Sequence, residues 1–260
     1  MITFENEVIT PTIFPDKTSQ VWKLPKELLT AAAVNLEKLV IKWDFEHEAE
    51  MMHVCQLATL FSSLFPRKKL ILDVPYFPYA RQDKVCINSS TFALHTFCEL
   101  IEVYFDEVIT FDVHNSLFFM HSDGQCRYSF TFSNILPDGL INQFINRNNI
   151  DIVLYPDRSA SERYSLNAPL ILVADKHRIP ETGHIDKLTV PLPERVAGKR
   201  VLVVDDLCDG GFTHCLAAQA ITPYTPHYLA LYTSHGLYSK GKKVLHDAGY
   251  KDPFNSHNIQ

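Results

Sequence analysis

The stretch Val201-Leu202-Val203-Val204-Asp205-Asp206-Leu207-Cys208-Asp209-Gly210-Gly211-Phe212-Thr213 carries more chemistry than any other part of the chain. Its four leading apolar residues read as a buried strand of a parallel sheet, and the apolar run Cys215 to Ala220 reads as a helix. Between them lie two adjacent carboxylates, then Asp209, a glycine pair and a threonine. A strand, a glycine-containing loop and a helix N-terminus make an anion site, because free backbone N–H groups and the positive end of the helix dipole converge. Carboxylates beside a phosphate cradle make sense if they hold what the phosphate is attached to. Ribose hydroxyls, or a Mg²⁺ bridging to them, fit that description. A polar loop that merely closes a buried strand is the plain alternative.

Other strand ends carry similar equipment. Phe77-Pro78-Tyr79-Ala80-Arg81-Gln82-Asp83-Lys84 follows an apolar run, and Pro78 favours an irregular connection there. An aromatic face for stacking, a planar cation for phosphate and an amide for a base or hydroxyl suit a nucleotide. A surface loop anchored by its aromatics fits the same residues. Asp112-Val113-His114, Tyr155-Pro156-Asp157, Asp175-Lys176-His177-Arg178 and Ser234-His235-Gly236 complete the set. A lone histidine is more often a hydrogen-bonded structural residue than a ligand, and a short charged run is usually a solvated face. Lys176 and Arg178 are two positions apart, so on an extended segment their side chains point the same way.

The elements that must position these residues alternate. Lys69 to Val74, Glu107 to Phe111, Ile150 to Leu154, Leu170 to Val173, Val201 to Val204 and Tyr228 to Tyr232 read as strands. Thr91 to Tyr104 reads as an amphipathic helix. This rhythm predicts an α/β fold with parallel sheets covered by helices. Ligands of such sheets bind beyond the carboxyl ends of the strands, which is where the polar residues fall. The turn-rich stretch Ser133 to Asn149 marks a junction, so two domains are expected, 1–135 and 136–260.

Composition sets limits. The net charge of −6 over 260 residues argues against broad nucleic-acid or membrane-surface binding. No apolar run approaches the ~20 residues that span a bilayer. The N-terminal stretch, with Glu5 and Glu7, does not read as a signal peptide. The six cysteines (55, 86, 98, 126, 208, 215) match no disulfide framework and no zinc pattern, which implies a reducing, cytoplasmic compartment. Cys55 and Cys98 fall in apolar helix-like segments and read as small core residues.

Taken in order, these motifs resemble the ribose-phosphate diphosphokinases (phosphoribosyl pyrophosphate synthetases). Phe77–Lys84 is similar to their signature loop, Asp112–His114 to their Asp-Leu-His segment and Tyr155–Asp157 to their Ser-Pro-Asp segment. Lys176-His177-Arg178 is similar to their catalytic flap, Asp205–Thr213 to their ribose-phosphate loop and Ser234–Ser239 to their Thr-His-Gly-x-Phe-Ser stretch. Phe14-Pro15-Asp16 resembles an element that closes the adenine pocket from a neighbouring subunit.

The resemblance implies two Rossmann-like, type I phosphoribosyltransferase-like subdomains with parallel sheets. It implies transfer of the β,γ-diphosphate of Mg-ATP to the anomeric hydroxyl of a ribose 5-phosphate moiety, with release of AMP. By carry-over, Phe14, Asp16, Arg81, Gln82, Asp83 and His114 bind ATP, and His114 and Asp157 hold Mg²⁺. Lys176 and Arg178 clamp the transferring diphosphate, and Asp209 orients the attacking hydroxyl. Asp205, Asp206, Asp209, Gly210, Gly211, Phe212 and Thr213 bind the acceptor. A homo-oligomer, dimer or hexamer, with shared sites is expected.

The chain also departs from the pattern. The family loop usually reads Asp-Thr-x-Gly-Thr, whereas here Asp209-Gly210-Gly211-Phe212-Thr213 loses a hydroxyl donor at Gly210 and gains an aromatic ring at Phe212. Loss of a donor weakens the grip on a free phosphate, and a ring at the mouth offers a face for a base. A larger acceptor such as ADP-ribose is therefore expected, with Phe212 turned inward as a core residue the alternative. Asp157-Arg158-Ser159-Ala160 lacks the family's glycines, and Val85-Cys86-Ile87-Asn88 replaces a more charged run. Two further readings share parts of the motif set: a phosphoribosyltransferase, which lacks the Phe77–Lys84 loop and the flap, and a silent synthetase-like regulatory subunit, which loses flap or metal residues.

Overall fold

The computed structural model describes residues 1–34, 37–85, 87, 89–178, 185–251 and 253–255. The chain forms two compact units, Met1–Ile135 and Leu136–Gln260.

The first unit runs β1 (Ile2–Phe4), β2 (Glu7–Val8), β3 (Thr12–Ile13), β4 (Ser19–Gln20), α1 (Lys26–Val34), β5 (Lys38–Trp43), α2 (Ala49–Leu64), β6 (Lys69–Asp73), α3 (Ala93–Ile101), β7 (Glu107–Phe111) and β8 (Thr131–Ile135). Its main sheet has the order β2-β1-β5-β6-β7-β8. The β5-β6-β7-β8 pairs are parallel, whereas β1 pairs antiparallel with both β5 and β2. The expected parallel sheet is present in β5 to β8, and an antiparallel edge is added to it, where a tight turn at Glu5 and Asn6, both at positive φ, folds β2 back on β1. The core is aromatic: Phe77 meets Phe97 and Phe119 edge-on, each at 5.2 Å, and Phe119 stacks on Phe132.

Glu50 organises the start of α2. Its carboxylate takes the Trp43 indole N–H at 2.9 Å, the Glu46 amide at 2.9 Å and the Met1 ammonium at 2.6 Å. Burial pushes this acid up, but the ammonium, indole and amide hydrogen bonds outweigh it and hold it down at about 2. A depressed acid contributes stability that is present above its unfolded value and is lost as pH falls through its folded value. The stabilisation from Glu50 is thus expected to fade between pH 4.5 and about 2. Thermal melts across that range check it: Glu50→Gln should be less stable at neutral pH and should converge on the parent protein in acid.

The second unit runs α4 (Asp138–Arg147), β9 (Ile152–Tyr155), α5 (Arg158–Arg163), β10 (Leu170–Val173), β11 (Asp175–Arg178), β12 (Ile185–Thr189), β13 (Arg200–Cys208), α6 (Phe212–Ile221), β14 (Tyr228–Gly236), α7 (Lys243–Asp247) and β15 (Pro253–Asn255). Its five-stranded sheet, β10-β9-β13-β14-β15, is parallel throughout, and β11 with β12 forms a separate antiparallel hairpin. Residues alternate between two cores. Val201 and Val203 pack with Ala217, Ala218 and Ile221 of α6, while Leu202 and Val204 pack with Ile141, Tyr155 and Ala160 on the other face.

Several boundaries differ from expectation for local reasons. Ile150 is not in the strand: Asn149 takes a left-handed conformation (φ 48°) and the Ile150 amide bonds back to the Ile145 carbonyl at 3.0 Å, closing α4. The strands expected to stop at Val204 and Tyr232 run on to Cys208 and Gly236, because the pairing continues through Asp205↔Thr233 and Leu207↔His235. The Thr91–Tyr104 helix is shorter, Ala93–Ile101. Cys98 is buried and Cys55 half-buried, while Cys86 and Asn88 lie outside the described residues. Among the described residues no helix is long and apolar enough to cross a membrane.

Candidate functional site

In the second unit, polar residues from four chain segments meet at the carboxyl ends of β9 and β13. Asp157 follows β9 and caps α5: its Oδ1 accepts the Ala160 amide at 2.8 Å. Its Oδ2 takes the Lys176 ammonium at 2.5 Å, from a lysine side chain only 12% exposed. Burial raises this carboxyl, but Lys176 and then the Ala160 amide outweigh it, so Asp157 sits below the ordinary carboxylate range. The charge of Asp206 also reaches Asp157, and that of Lys176 reaches Asp205.

Asp205 and Asp206 lie inside β13, so alternation sends them to opposite faces of the sheet. Each meets a cation there. Asp206 faces Arg163 of α5, Nη2 to Oδ2 at 3.5 Å. Asp205 faces His214 of α6, Oδ2 to Nε2 at 3.2 Å, and its Oδ1 accepts the Asp206 amide at 3.0 Å. Burial and the neighbouring Asp206 charge push Asp205 up, while His214 opposes them. Burial works against a charge on His214, yet contact with Asp205 and then Cys208 lifts the imidazole to about 9. The 3.2 Å separation is an ion-pair contact, not a well-aligned hydrogen bond, since neither ring nitrogen has a hydrogen-bond partner among the described residues.

The Asp209–Thr213 loop leads straight into α6. Gly211 is its N-cap at φ 78°, a left-handed conformation that glycine adopts without strain, and no side chain caps the helix. The first-turn amides are thus open to an anion. Asp209 is exposed, Thr213 half-buried, and the Phe212 ring is 58% exposed at the first helical position. Phe212 is therefore not an inward core residue. The stem of Lys240 lies over Gly210: a β-carbon added there would sit 3.4 Å from its Cδ and Cε.

The flap residues fall on β11. His177 Nδ1 meets Asp186 Oδ1 at 2.7 Å across the hairpin. The pairing passes from His177↔Lys187 to Arg178↔Ile185, so the extra residue of this irregularity is Asp186 on β12. Ser234 and His235 are buried within β14.

In the first unit, buried Phe77 anchors the Phe77–Lys84 loop. Tyr79 turns at φ 62° and its hydroxyl donates to Glu48 at 2.6 Å. Arg81, Gln82 and Lys84 are exposed as a result. Asp83 accepts the Asn115 amide at 2.8 Å, tying this loop to the segment that carries exposed His114. Asp112, buried at φ 46°, makes the kink that turns that segment out of β7. Phe14 and Asp16 occupy the β3–β4 turn. Phe14 meets Trp22 edge-on at 6.0 Å, and the Thr18 side chain and amide bind Asp16, holding its carboxyl below the usual range.

The donor set of the second unit suits Mg²⁺. Asp157, Asp205 and Asp206 offer hard oxygens, and Mg²⁺ needs few protein ligands beside water and phosphate. Among the described residues no three acids, histidines or cysteines gather closely enough to hold a metal alone. Each oxygen of Asp157 already has one partner, so a metal there would use a remaining lone pair beside the Ala160 amide or the Lys176 ammonium.

Arg163, His214 and Lys240 were not singled out in the sequence. The local sequence carried no signal for the first two, because the helix that covers each face of β13 is set by tertiary packing.

No family model matches the chain. It is 29% identical over 179 residues to a ribose-phosphate pyrophosphokinase of Pyrococcus abyssi, covering 67% of this chain and 60% of that protein. It is 30% identical over 174 residues to one of Cereibacter sphaeroides, covering 64% of this chain and 50% of that protein. The chain thus spans about three-fifths of the length of the first of these relatives. In fold it is similar to a phosphoribosylpyrophosphate synthetase from Mycobacterium smegmatis, with a TM-score of 0.64 at 15% identity over 94% of this chain and 78% of that one.

Proposed function

We propose that the chain is a member of the ribose-phosphate pyrophosphokinase family to which it is similar, and that it moves the β,γ-diphosphate of ATP onto the anomeric hydroxyl of a ribose 5-phosphate moiety. The observation that carries this reading is the gathering of Asp157, Lys176, Asp205 and Asp206 beside the uncapped start of α6. Phosphoryl transfer asks a protein for positioning and charge stabilisation more than covalent help, and this cluster supplies both kinds of charge.

The α6 amides and the Asp209–Thr213 loop hold the acceptor phosphate, and Asp205 and Asp206 hold its ribose. Asp209 orients the anomeric hydroxyl. That oxygen attacks the β-phosphorus and releases its proton to solvent, the bond from the β-phosphorus to the oxygen of the α-phosphate breaks, and AMP leaves with that oxygen. Lys176, with Arg178, meets the charge that builds on the diphosphate as it passes. Phe14, Asp16, Arg81, Gln82, Asp83 and His114 bind ATP in this reading, with Phe14 and Asp16 serving a neighbouring subunit of a homo-oligomer. His114 in the first unit and Asp157 in the second are each proposed as a Mg²⁺ ligand, and the ion when bound would neutralise phosphate oxygens.

The acceptor is a larger molecule than free ribose 5-phosphate, and ADP-ribose fits best. The exposed Phe212 ring supports this, because it stands at the mouth of the loop where a base can stack. Incubation with ATP and each acceptor in turn, following AMP release, tests the proposal. ADP-ribose should give the higher kcat/KM. Equal or better turnover of free ribose 5-phosphate would remove the larger acceptor, and no AMP with either would remove the activity.

A further inference from the structure

The acid pair needs more than a strand to aim it. Asp205 lies on the α6 face of β13, where Val201 and Val203 meet Ala217, Ala218 and Ile221. His214 belongs to the same stripe of α6, one turn before Ala217 and Ala218, and is only 2% exposed. An apolar side chain at this position packs without a desolvation penalty, whereas a buried imidazole is costly unless a charge compensates it. The compensating charge is Asp205, with Oδ2 3.2 Å from Nε2.

His214 is itself held. Its carbonyl accepts the hydroxyl of Tyr250 at 2.8 Å, and that tyrosine is 1% exposed. Asp205 is thereby gripped at both oxygens, by the Asp206 amide on Oδ1 and by His214 on Oδ2. A carboxylate gripped in this way keeps one rotamer, and its remaining lone pairs keep one direction. The Asp209–Thr213 loop begins four residues further on.

We propose that His214 is a positioning residue: from beneath the sheet it fixes the carboxylate of Asp205 in the orientation that receives the acceptor's hydroxyls. It touches neither substrate, and its effect passes through Asp205. The role at the acceptor rests on the diphosphotransferase reading, while the pairing itself does not.

Two measurements test it on the full chain. In the first, His214→Leu should raise the KM for ADP-ribose about tenfold or more and leave the KM for ATP within about twofold, because only acceptor binding passes through Asp205. His214→Gln, which puts back a polar N–H of similar reach without the charge, should recover part of that loss. Tyr250→Phe, which removes a buried hydrogen bond on the other side of His214, should lower the melting temperature and leave the acceptor KM unchanged. An acceptor KM within about twofold of the parent in His214→Leu, or equal losses in the Leu and Gln variants, would overturn the proposal. In the second, the ring ¹⁵N–¹H signals of His214 should shift in Asp205→Asn, and in the parent protein when ADP-ribose is added without ATP. Ring signals indifferent to Asp205→Asn would overturn it whether or not the protein turns over. If the parent protein releases no AMP with any acceptor, the diphosphotransferase reading falls and the ring signals still decide the pairing.

Discussion

Replacing Lys176 with alanine is expected to lower AMP release from ATP by roughly a hundred- to a thousandfold, the usual loss when one preorganised charge is removed from a developing oxyanion. The side chain is 12% exposed and sits 2.5 Å from Asp157, so its ammonium already lies in the acidic cluster. The fold should tolerate the change. The β11–β12 hairpin is held by its backbone ladder, and Asp157 keeps the Ala160 amide. Asp157 is also 31% exposed, so water reaches the carboxylate once the lysine has gone, and the stability cost stays near 1 kcal/mol. Stopped assays and melting curves on the same samples check both halves. An unchanged rate would take Lys176 out of the mechanism.

Phe212→Ala should separate the two acceptors. A base stacked on an aromatic side chain contributes about 1–3 kcal/mol, so the KM for ADP-ribose should rise roughly five- to a hundredfold. Free ribose 5-phosphate has no base, and its KM should stay within about twofold. The ring is 58% exposed at the first position of α6, so its removal leaves no cavity and little change in stability. A rise shared equally by both acceptors would mean that Phe212 shapes the phosphate loop and contacts no base.

The contrast between legible and hidden features follows from range. Glu107–Phe111 and Leu170–Val173 were readable to the residue, because the first lies between Asp106 and Asp112 and the second is an apolar run that follows Pro169. The extension of β13 through Asp205 to Cys208 was hidden, since carboxylates in a strand look like a loop until the partner strand is known. Polar residues at strand ends were readable one at a time, and Asp157, Lys176, Asp205 and Asp206 do come together within the second unit. Their counter-charges were not readable. Arg163 meets Asp206 and His214 meets Asp205 only because α5 and α6 cover opposite faces of one sheet, a tertiary fact with no local sequence signature. The antiparallel edge formed by β1 and β2 was missed for a similar reason: strands of two and three residues carry too little periodicity to register.

The most direct test of the whole account follows the phosphorus. ATP carrying a ³²P label at the β-position, mixed with ADP-ribose and the protein, should pass its label with the γ-phosphoryl group as an intact diphosphate to the acceptor's anomeric oxygen, with unlabelled AMP as the other product. Label found in ADP, or in inorganic phosphate with the acceptor unchanged, would contradict diphosphoryl transfer at this site.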